Sequence, residues 1–385
     1  MLHIPTFRCR HALLAALMLT VSLALAACGG SDNSSDSATA SDKPASDAAS
    51  SVPAPITSPP AKISIDKPWK SPPPKGKTIF WLQCELPICA KIAKGGKAAA
   101  AAIGWNYKSV VFKASNPAGG MQTALQAKPD AIFISGIPSA AIKSQLAAAA
   151  KAKIPVVGCG APEQPAPGAY SSMCGTTTGP DGEQLGLWAI KDSGGDAHVV
   201  SVTISSYPSL KTTTDGTANA LKKYCPKCSA DILDVTVDDL GAGQVASKLV
   251  AYLQAHPNVN YVSFTFADLE AGAAQALKAA GLDGKVKLIG NGAGPTQFKT
   301  MVAGGTPDAA WMAYGAVMEG WMQVDAAARL LADGKLPDGY QKEQDHVQTW
   351  IVDSPDSAKT LAPSYDWEGP ADYQQQFKDL WQGKS

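Results

Sequence analysis

Residues 130–159 read DAIFISGIPSAAIKSQLAAAAKAKIPVVGC, and this stretch decides the fold class. Asp130–Ser135 is a short apolar run rich in branched and aromatic side chains, which suits a buried strand. Pro138 then opens an alanine-rich segment of helical length that ends near Lys151. A second apolar run, Ile154–Cys159, follows, so the unit is strand, helix, strand.

The same alternation extends in both directions. Upstream lie strands at Thr78–Gln83 and Ser109–Lys113, with a helix over Pro87–Ile103. Downstream, strands are expected at His198–Ser205, Asp231–Val237, Asn260–Phe266, Val286–Gly290 and Ala310–Tyr314. Helices are expected at Gly243–His256 and Asp268–Ala280. Near-continuous apolar strands alternating with helices imply α/β architecture, with doubly wound parallel sheets covered on both faces. Ligands of such sheets bind beyond the carboxyl ends of the strands.

The N-terminus has a different character. Arg8, Arg10 and His11 precede an apolar run from Ala12 to Ala27, too short for a mature spanning helix and suited to a secretion signal. It ends in Leu25-Ala26-Ala27-Cys28, which resembles the bacterial lipobox, so Cys28 is the expected lipidation site and membrane contact is expected through the lipid alone. Residues 28–76 are mostly Ser, Asp, Ala and Pro and are expected to form a disordered tether. About 310 residues remain, enough for two lobes of ordinary domain size.

Composition narrows the function classes. With 33 basic and 33 acidic residues the net charge is zero, and charged residues make up only 17%. No basic cluster is present to hold nucleic acid. Of the eight cysteines, setting aside Cys9 and Cys28 leaves an even set, as expected of disulfides outside the cytosol. Local pairing, Cys84 with Cys89, Cys159 with Cys174 and Cys225 with Cys228, closes the shortest loops. Cys225-Pro226-Lys227-Cys228 follows a helix and precedes a strand, the reverse of a redox motif whose reactive cysteine sits at a helix N-terminus. It reads as a clip at a corner. Neither a second such motif nor paired histidines accompany it, so no metal site is expected. His198, His256 and His346 flank no candidate nucleophile, and neither an enzyme nor a cofactor is expected.

Several stretches together resemble one family. They are Pro87 opening the first helix with Gly95 two turns on, Asp130–Ser135 followed by Pro138-Ser139-Ala140, and Ile154-Pro155-Val156-Val157. Further on come Ala271–Leu277, Ile289-Gly290-Asn291-Gly292, Glu319-Gly320 and a tail at Phe377–Trp381. In order and spacing they resemble the type I periplasmic solute-binding proteins of ABC importers, the ribose- and galactose-binding family. That family shares its fold with the LacI repressors, but a lipobox stands here where DNA-binding helices would be. The resemblance implies lobe 1 over 77–178 plus 314–347, lobe 2 over 179–313 plus 348–355, and a tail over 356–385. Three hinge crossings are implied near Thr178, Tyr314 and Val347. A monomer is implied, exported and anchored at the cell membrane, passing a small molecule to an importer permease. A sensor signalling to a membrane receptor would use the same binding physics.

Position by position, the chain departs from the sugar binders. Gly160-Ala161 stands where an Asp-Arg pair clamps sugar hydroxyls, Leu86, Ile88 and Cys89 replace an Asn and two aromatics, and Phe266-Ala267 replaces Asn-Asp. Asn291 takes the place of an Asp, Tyr314 that of a Gln, and Lys211 that of an Arg. The resemblance places Trp81, Phe266, Trp311 and Tyr314 toward the cleft, with Gln83, Ser135, Ser206 and Asn291 as neutral hydrogen-bonding groups. Lys211 is expected to neutralise a ligand carboxylate or to pair with Asp268 or Glu85. The expected ligand is a less polar cyclic or aromatic compound rather than a common monosaccharide; a sugar or polyol in an atypical pocket is the alternative.

Overall fold

The computed structural model describes residues 52–113, 115–159, 169–171, 178–337 and 349–384. The expected signal segment, Cys28, Gly160-Ala161, Cys174, His346 and the crossing expected near Val347 lie outside these residues.

The first sheet forms from β1 (Thr78–Gln83), β2 (Asn106–Val111), β3 (Ala131–Ser135), β4 (Val156–Cys159) and β5 (Ala169–Ser171). Its order is β2-β1-β3-β4-β5, parallel throughout. Helices α1 (Pro87–Ala102), α2 (Pro117–Gln126) and α3 (Lys143–Lys151) connect the strands. The centre is continuous apolar sequence because both faces are covered: four successive residues of β1 and of β3 are buried. β2 is the edge, and of its exposed positions Asn106, Lys108 and Ser109 are polar, which discourages further pairing, while Val111 is apolar.

After the first sheet in sequence comes α4 (Thr178–Asp192). The second sheet comprises β6 (His198–Thr203), β7 (Ser229–Asp234), β8 (Tyr261–Phe264), β9 (Lys287–Ala293), β10 (Asp308–Tyr314) and β11 (Thr349–Val352). Their order is β11-β10-β9-β8-β6-β7, parallel except for the antiparallel β10–β11 pair. Its helices are α5 (Pro208–Tyr224), α6 (Val237–Gly241), α7 (Val245–Ala255), α8 (Ala273–Ala279) and α9 (Pro295–Ala303). The chain then returns through α10 (Ala316–Asp333), which packs on α1, and ends in α11 (Pro355–Lys359) and α12 (Tyr373–Trp381).

Every expected strand is present within a few residues, and two short ones, β5 and β11, were not anticipated. Strands this short carry too few residues for a periodic signal. The expected helix over 268–280 is a short 3₁₀ turn at Ala267–Glu270 followed by α8, because Gly272 adopts a left-handed φ of 79° between them.

The expectation of a disordered tether as far as residue 76 is corrected for residues 52–76. Val52, Ile65 and Trp69 are buried there, and Trp69 Nε1 donates to Asp325 Oδ1 at 2.8 Å. A few large apolar side chains within a polar segment suffice when a prepared surface receives them. Cys84–Cys89 and Cys225–Cys228 are both bonded, with S–S distances of 2.07 and 1.98 Å. The second pair clips the corner between α5 and β7.

Candidate functional site

In each sheet the strand order reverses beside the first strand of its lobe: β1 lies between β2 and β3, and β6 between β7 and β8. Chains leaving such a point diverge and open a crevice at the carboxyl ends. The two crevices face each other closely. A Cβ built on Gly136, after β3, would lie 3.2 Å from the Tyr207 ring, which follows β6, and one on Gly292 in β9 would lie 3.7 Å from Ile88 of α1.

A cavity of about 100 Å³ lies between them. Its lobe 1 wall is Leu86, Ile88 and Ile92 beside the Cys84–Cys89 disulfide; its lobe 2 wall is Tyr207, Leu210 and Phe266. Ser135, Ser209, Thr265, Asn291, Tyr314 and Glu319 supply the polar groups. An adjoining space of about 280 Å³ shares Ile88, Gly292 and Tyr314 with it and is more polar, lined by Lys91, Asp268, Glu270 and Gln297.

The disulfide ties the end of β1 to the first turn of α1, so Leu86 and Ile88 are held on a closed loop. Pro87 occupies the first helical position, where its missing N–H is not needed.

The electrostatics are unusual because acids predominate. Tyr314 Oη donates to Glu319 Oε2 at 2.5 Å, with Glu319 buried one turn into α10. Burial pushes the Glu319 carboxyl up to about 8 against the pull of that hydrogen bond. Burial also raises the Tyr314 hydroxyl well above its ordinary value, and the Glu319 charge adds to this. Asn291 Nδ2 donates to Asp181 Oδ2 at 3.1 Å, and the Thr349 hydroxyl donates to Asp181 Oδ1 at 2.7 Å. Burial lifts Asp181 to about 7 despite both donors. In the adjoining space Gln297 Nε2 donates to Glu270 Oε2 at 3.2 Å, while burial and then the charge of Asp308 push Glu270 up to about 7. Asp268 is raised by burial, with Lys91 opposing; Lys91 itself pairs with Asp366 at 3.1 Å.

Of the residues expected from sequence, Ser135, Phe266, Asn291 and Tyr314 line the main cavity and Asp268 lines the adjoining one. Trp81 and Trp311 do not. Trp81 is fully enclosed in the lobe 1 core, and Trp311 stacks on Phe264 at 6.0 Å while its Nε1 donates to Asp308 Oδ1 at 2.8 Å. Lys211 stands on an exposed face of α5 with its ammonium 2.6 Å from Asp215, one turn away. The helical i, i+4 spacing satisfies it locally, and it does not join the lining of either space. Gln83 is half-buried at the end of β1, and Ser206 and Glu85 are exposed. The charge of Glu85 nevertheless reaches Tyr207, whose hydroxyl is pushed up to about 12 by burial first and Glu85 second.

Leu86, Ile88 and Cys89 line the main cavity at the positions where the resemblance set them against the sugar site, whereas Tyr207, Leu210 and Glu319 were not anticipated as lining residues. For Glu319 a signal existed, a single acid inside the apolar run Ala316–Met322, five residues after Tyr314. Tyr207 offered none, since nothing local shows that it faces the opposite lobe.

The profile of the periplasmic binding protein domain matches residues 71–336. The chain therefore belongs to that family, whose members are solute-binding rather than catalytic proteins, and its two parallel-sheet lobes are the type I form of the fold. No curated protein matches it in sequence. Among solved structures it is similar to an ABC transporter solute binding protein from Agrobacterium vitis with bound allitol. That chain is 21% identical with a TM-score of 0.62, and the match covers 74% of this chain and 98% of that one. A solute binding protein from Mycobacterium smegmatis with bound glycerol is 19% identical with a TM-score of 0.65, over 76% and 99% of the two chains. The 5-methylthioribose transporter solute binding protein from Thermotoga lettingae, in complex with 5-methylthioribose, is 16% identical with a TM-score of 0.64, over 83% and 100%. At these identities the likeness shows the fold.

Proposed function

We propose that this chain is the extracytoplasmic solute-binding component of an ABC importer, held at the membrane by lipid on Cys28. Its solute is a small molecule with an apolar ring or body, not a common monosaccharide. The observation that carries this reading is the cavity between the strand ends, walled by Leu86, Ile88, Ile92, Leu210 and Phe266. A sugar placed against these walls would leave several hydroxyls without partners, each costing about 1–3 kcal/mol. An engineered apolar cavity of about 150 Å³ takes up benzene; the main cavity of about 100 Å³ is smaller than that, and a substituted ring fits only by extending into the adjoining space of about 280 Å³.

Structural relatives bind allitol, glycerol and 5-methylthioribose. The last carries an apolar methylthio arm and so lies nearest to what this cavity suits, while the first two support a polyol as second reading. Export and importer partnership rest on the family and on the lipobox-like Leu25–Cys28. No helix among the described residues is long and apolar enough to cross a membrane.

A thermal-shift screen over monosaccharides, polyols, cyclic alcohols and aromatic compounds tests the ligand class. A solute at about 100 times its Kd stabilises by roughly 2.7 kcal/mol. Shifts are expected from compounds with an apolar ring. Strong shifts from ribose, glucose or galactose alone would refute the apolar reading and favour a sugar. The anchor is checked by mass spectrometry of the mature N-terminal peptide, which should begin at diacylglyceryl-modified Cys28.

A further inference from the structure

The polar lining carries more than a count of groups, because two of its atoms lack protein partners. Asn291, only 6% exposed, spends its amide Nδ2 on Asp181, which leaves Oδ1 as the free end. Oδ1 is buried with no hydrogen-bond partner. Tyr207, 5% exposed, holds its hydroxyl in the same condition. Both residues line the main cavity, one from β9 and the other from the turn before α5. Orphaned polar atoms are rare in folded proteins and call for an account. In a solute cleft the account is that a solute completes them.

Oδ1 of an amide accepts and never donates, so whatever completes Asn291 must bring a proton. The surrounding charge favours the same choice. The charge of Glu85 reaches the Tyr207 hydroxyl, and Asp181, lifted to about 7 and so only partly ionised at neutral pH, stands directly behind Asn291, while Glu319, lifted to about 8, keeps its proton there and adds no full charge. Among the described lining residues the cation is Lys91, on the adjoining space and 3.1 Å from Asp366. A carboxylate in the main cavity would face Asn291 with acceptors on both sides of the contact and would meet the charge of Glu85. Hydroxyls of Ser135 or Tyr207 could donate to it, but Oδ1 would stay buried and unpaired, with its desolvation cost unrelieved.

We propose that the solute enters with a hydrogen-bond-donating head, a hydroxyl or an ammonium, on Asn291 Oδ1 and Tyr207 Oη, its apolar body against Ile88 and Phe266, and that the corresponding acids are excluded. This rests on the reading of the site as a cleft for a small ring compound, and it reverses the acidic ligand that Lys211 suggested.

The test holds the body constant and changes the head. Two probe series, cyclohexylmethanol, cyclohexylmethylammonium and cyclohexanecarboxylate, and benzyl alcohol, benzylammonium and benzoate, are titrated into the mature protein by calorimetry at pH 7. The alcohols and ammoniums are expected to bind and the carboxylates to bind at least tenfold more weakly. Tyr207→Phe keeps the ring and should weaken the donors by about threefold to tenfold, as for one neutral hydrogen bond. Asn291→Leu should abolish the preference for donors over acids. Carboxylates that bind as well as the donors overturn this inference and leave the ring-compound reading standing. Silence of all six probes overturns both.

Discussion

Glu319 is an acid enclosed in a cavity wall, and its protonation couples the site to the stability of the fold. Its carboxyl sits at about 8 in the folded chain against an ordinary 4.5. Between these values the folded state keeps a proton that the unfolded state has released. The stabilisation is therefore fully present below about 4.5 and is lost as pH rises through about 8. Asp181 and Glu270, each lifted to about 7, act in the same direction. Melting temperature is expected to fall as pH is raised from 5 to 9. Glu319→Gln, which keeps an acceptor for Tyr314 and removes the titration, should flatten part of that slope and melt a few degrees above the parent at pH 8.5. Parallel slopes for the two proteins would show that burial does not hold the proton there. At this scale the site was half legible. Residues at or near the carboxyl ends of strands, such as Ser135, Asn291 and Tyr314, could be placed because strand ends face ligand in any open parallel sheet. Trp81 and Trp311 lie within strands, where a ring can point to the core or the cleft, and the core took both.

At the scale of elements, the pairing of α1 with α10 depends on the absence of side chains. A Cβ on Gly95 would lie 1.8 Å from the Val317 carbonyl oxygen, and one on Gly320 would lie 2.2 Å from the Gly96 nitrogen. The two backbones touch, which brings Glu319 to the wall formed by α1. In an exposed helix Gly→Ala stabilises by about 0.5–1 kcal/mol. Here the sign should reverse. Gly320→Ala is expected to force the helices apart at a cost of about 1–3 kcal/mol, typical of overpacking, and to lower the melting temperature. A variant that melts at or above the parent would mean that the crossing is looser than it looks. The first helix was visible in its alanine-rich sequence with Pro87 marking its start, while Glu319-Gly320 of the second was singled out only by the family resemblance. Their contact was not visible, because glycine in a helical segment reads only as lowered propensity until its neighbour is known.

Over the whole molecule, more chain bridges the lobes than the three crossings of the expected hinge. The segment from Val52 packs first on lobe 2, where Val52 joins a core with Leu185 and Trp188, Ile56 N donates to Gln184 Oε1 at 2.8 Å and Ile351 N donates to Ile56 O at 2.7 Å. It then reaches lobe 1, where Trp69 stacks on Trp381 at 5.1 Å and Trp381 on Trp321 at 5.3 Å. Asp325 gathers Trp69, Trp381 and Arg329 in one buried network. The tail repeats the crossing, with α11 against α9 of lobe 2 and α12 against α10. Segments fixed at both ends resist hinge motion. Removing residues 29–62, which frees the lobe 2 end and keeps Trp69, is expected to enlarge the solute-free radius of gyration measured by small-angle scattering. An unchanged radius would mean that the segment only coats the surface.

What the sequence determined by itself was local in origin. Apolar strands alternating with alanine-rich helices specify parallel sheets whatever surrounds them, and neighbouring cysteines such as Cys225 and Cys228 have little choice of partner. What tertiary structure decided were the relations between distant residues. Lys211 was spent on Asp215 and lost to the cleft, Tyr207 came to face Gly136 across the lobes, and Glu319 was carried into an apolar wall. Val52 and Trp69, isolated in a polar segment, found burial on surfaces made by residues more than a hundred positions away. Periodicity encodes which face of an element is apolar; it does not encode which other element that face will meet.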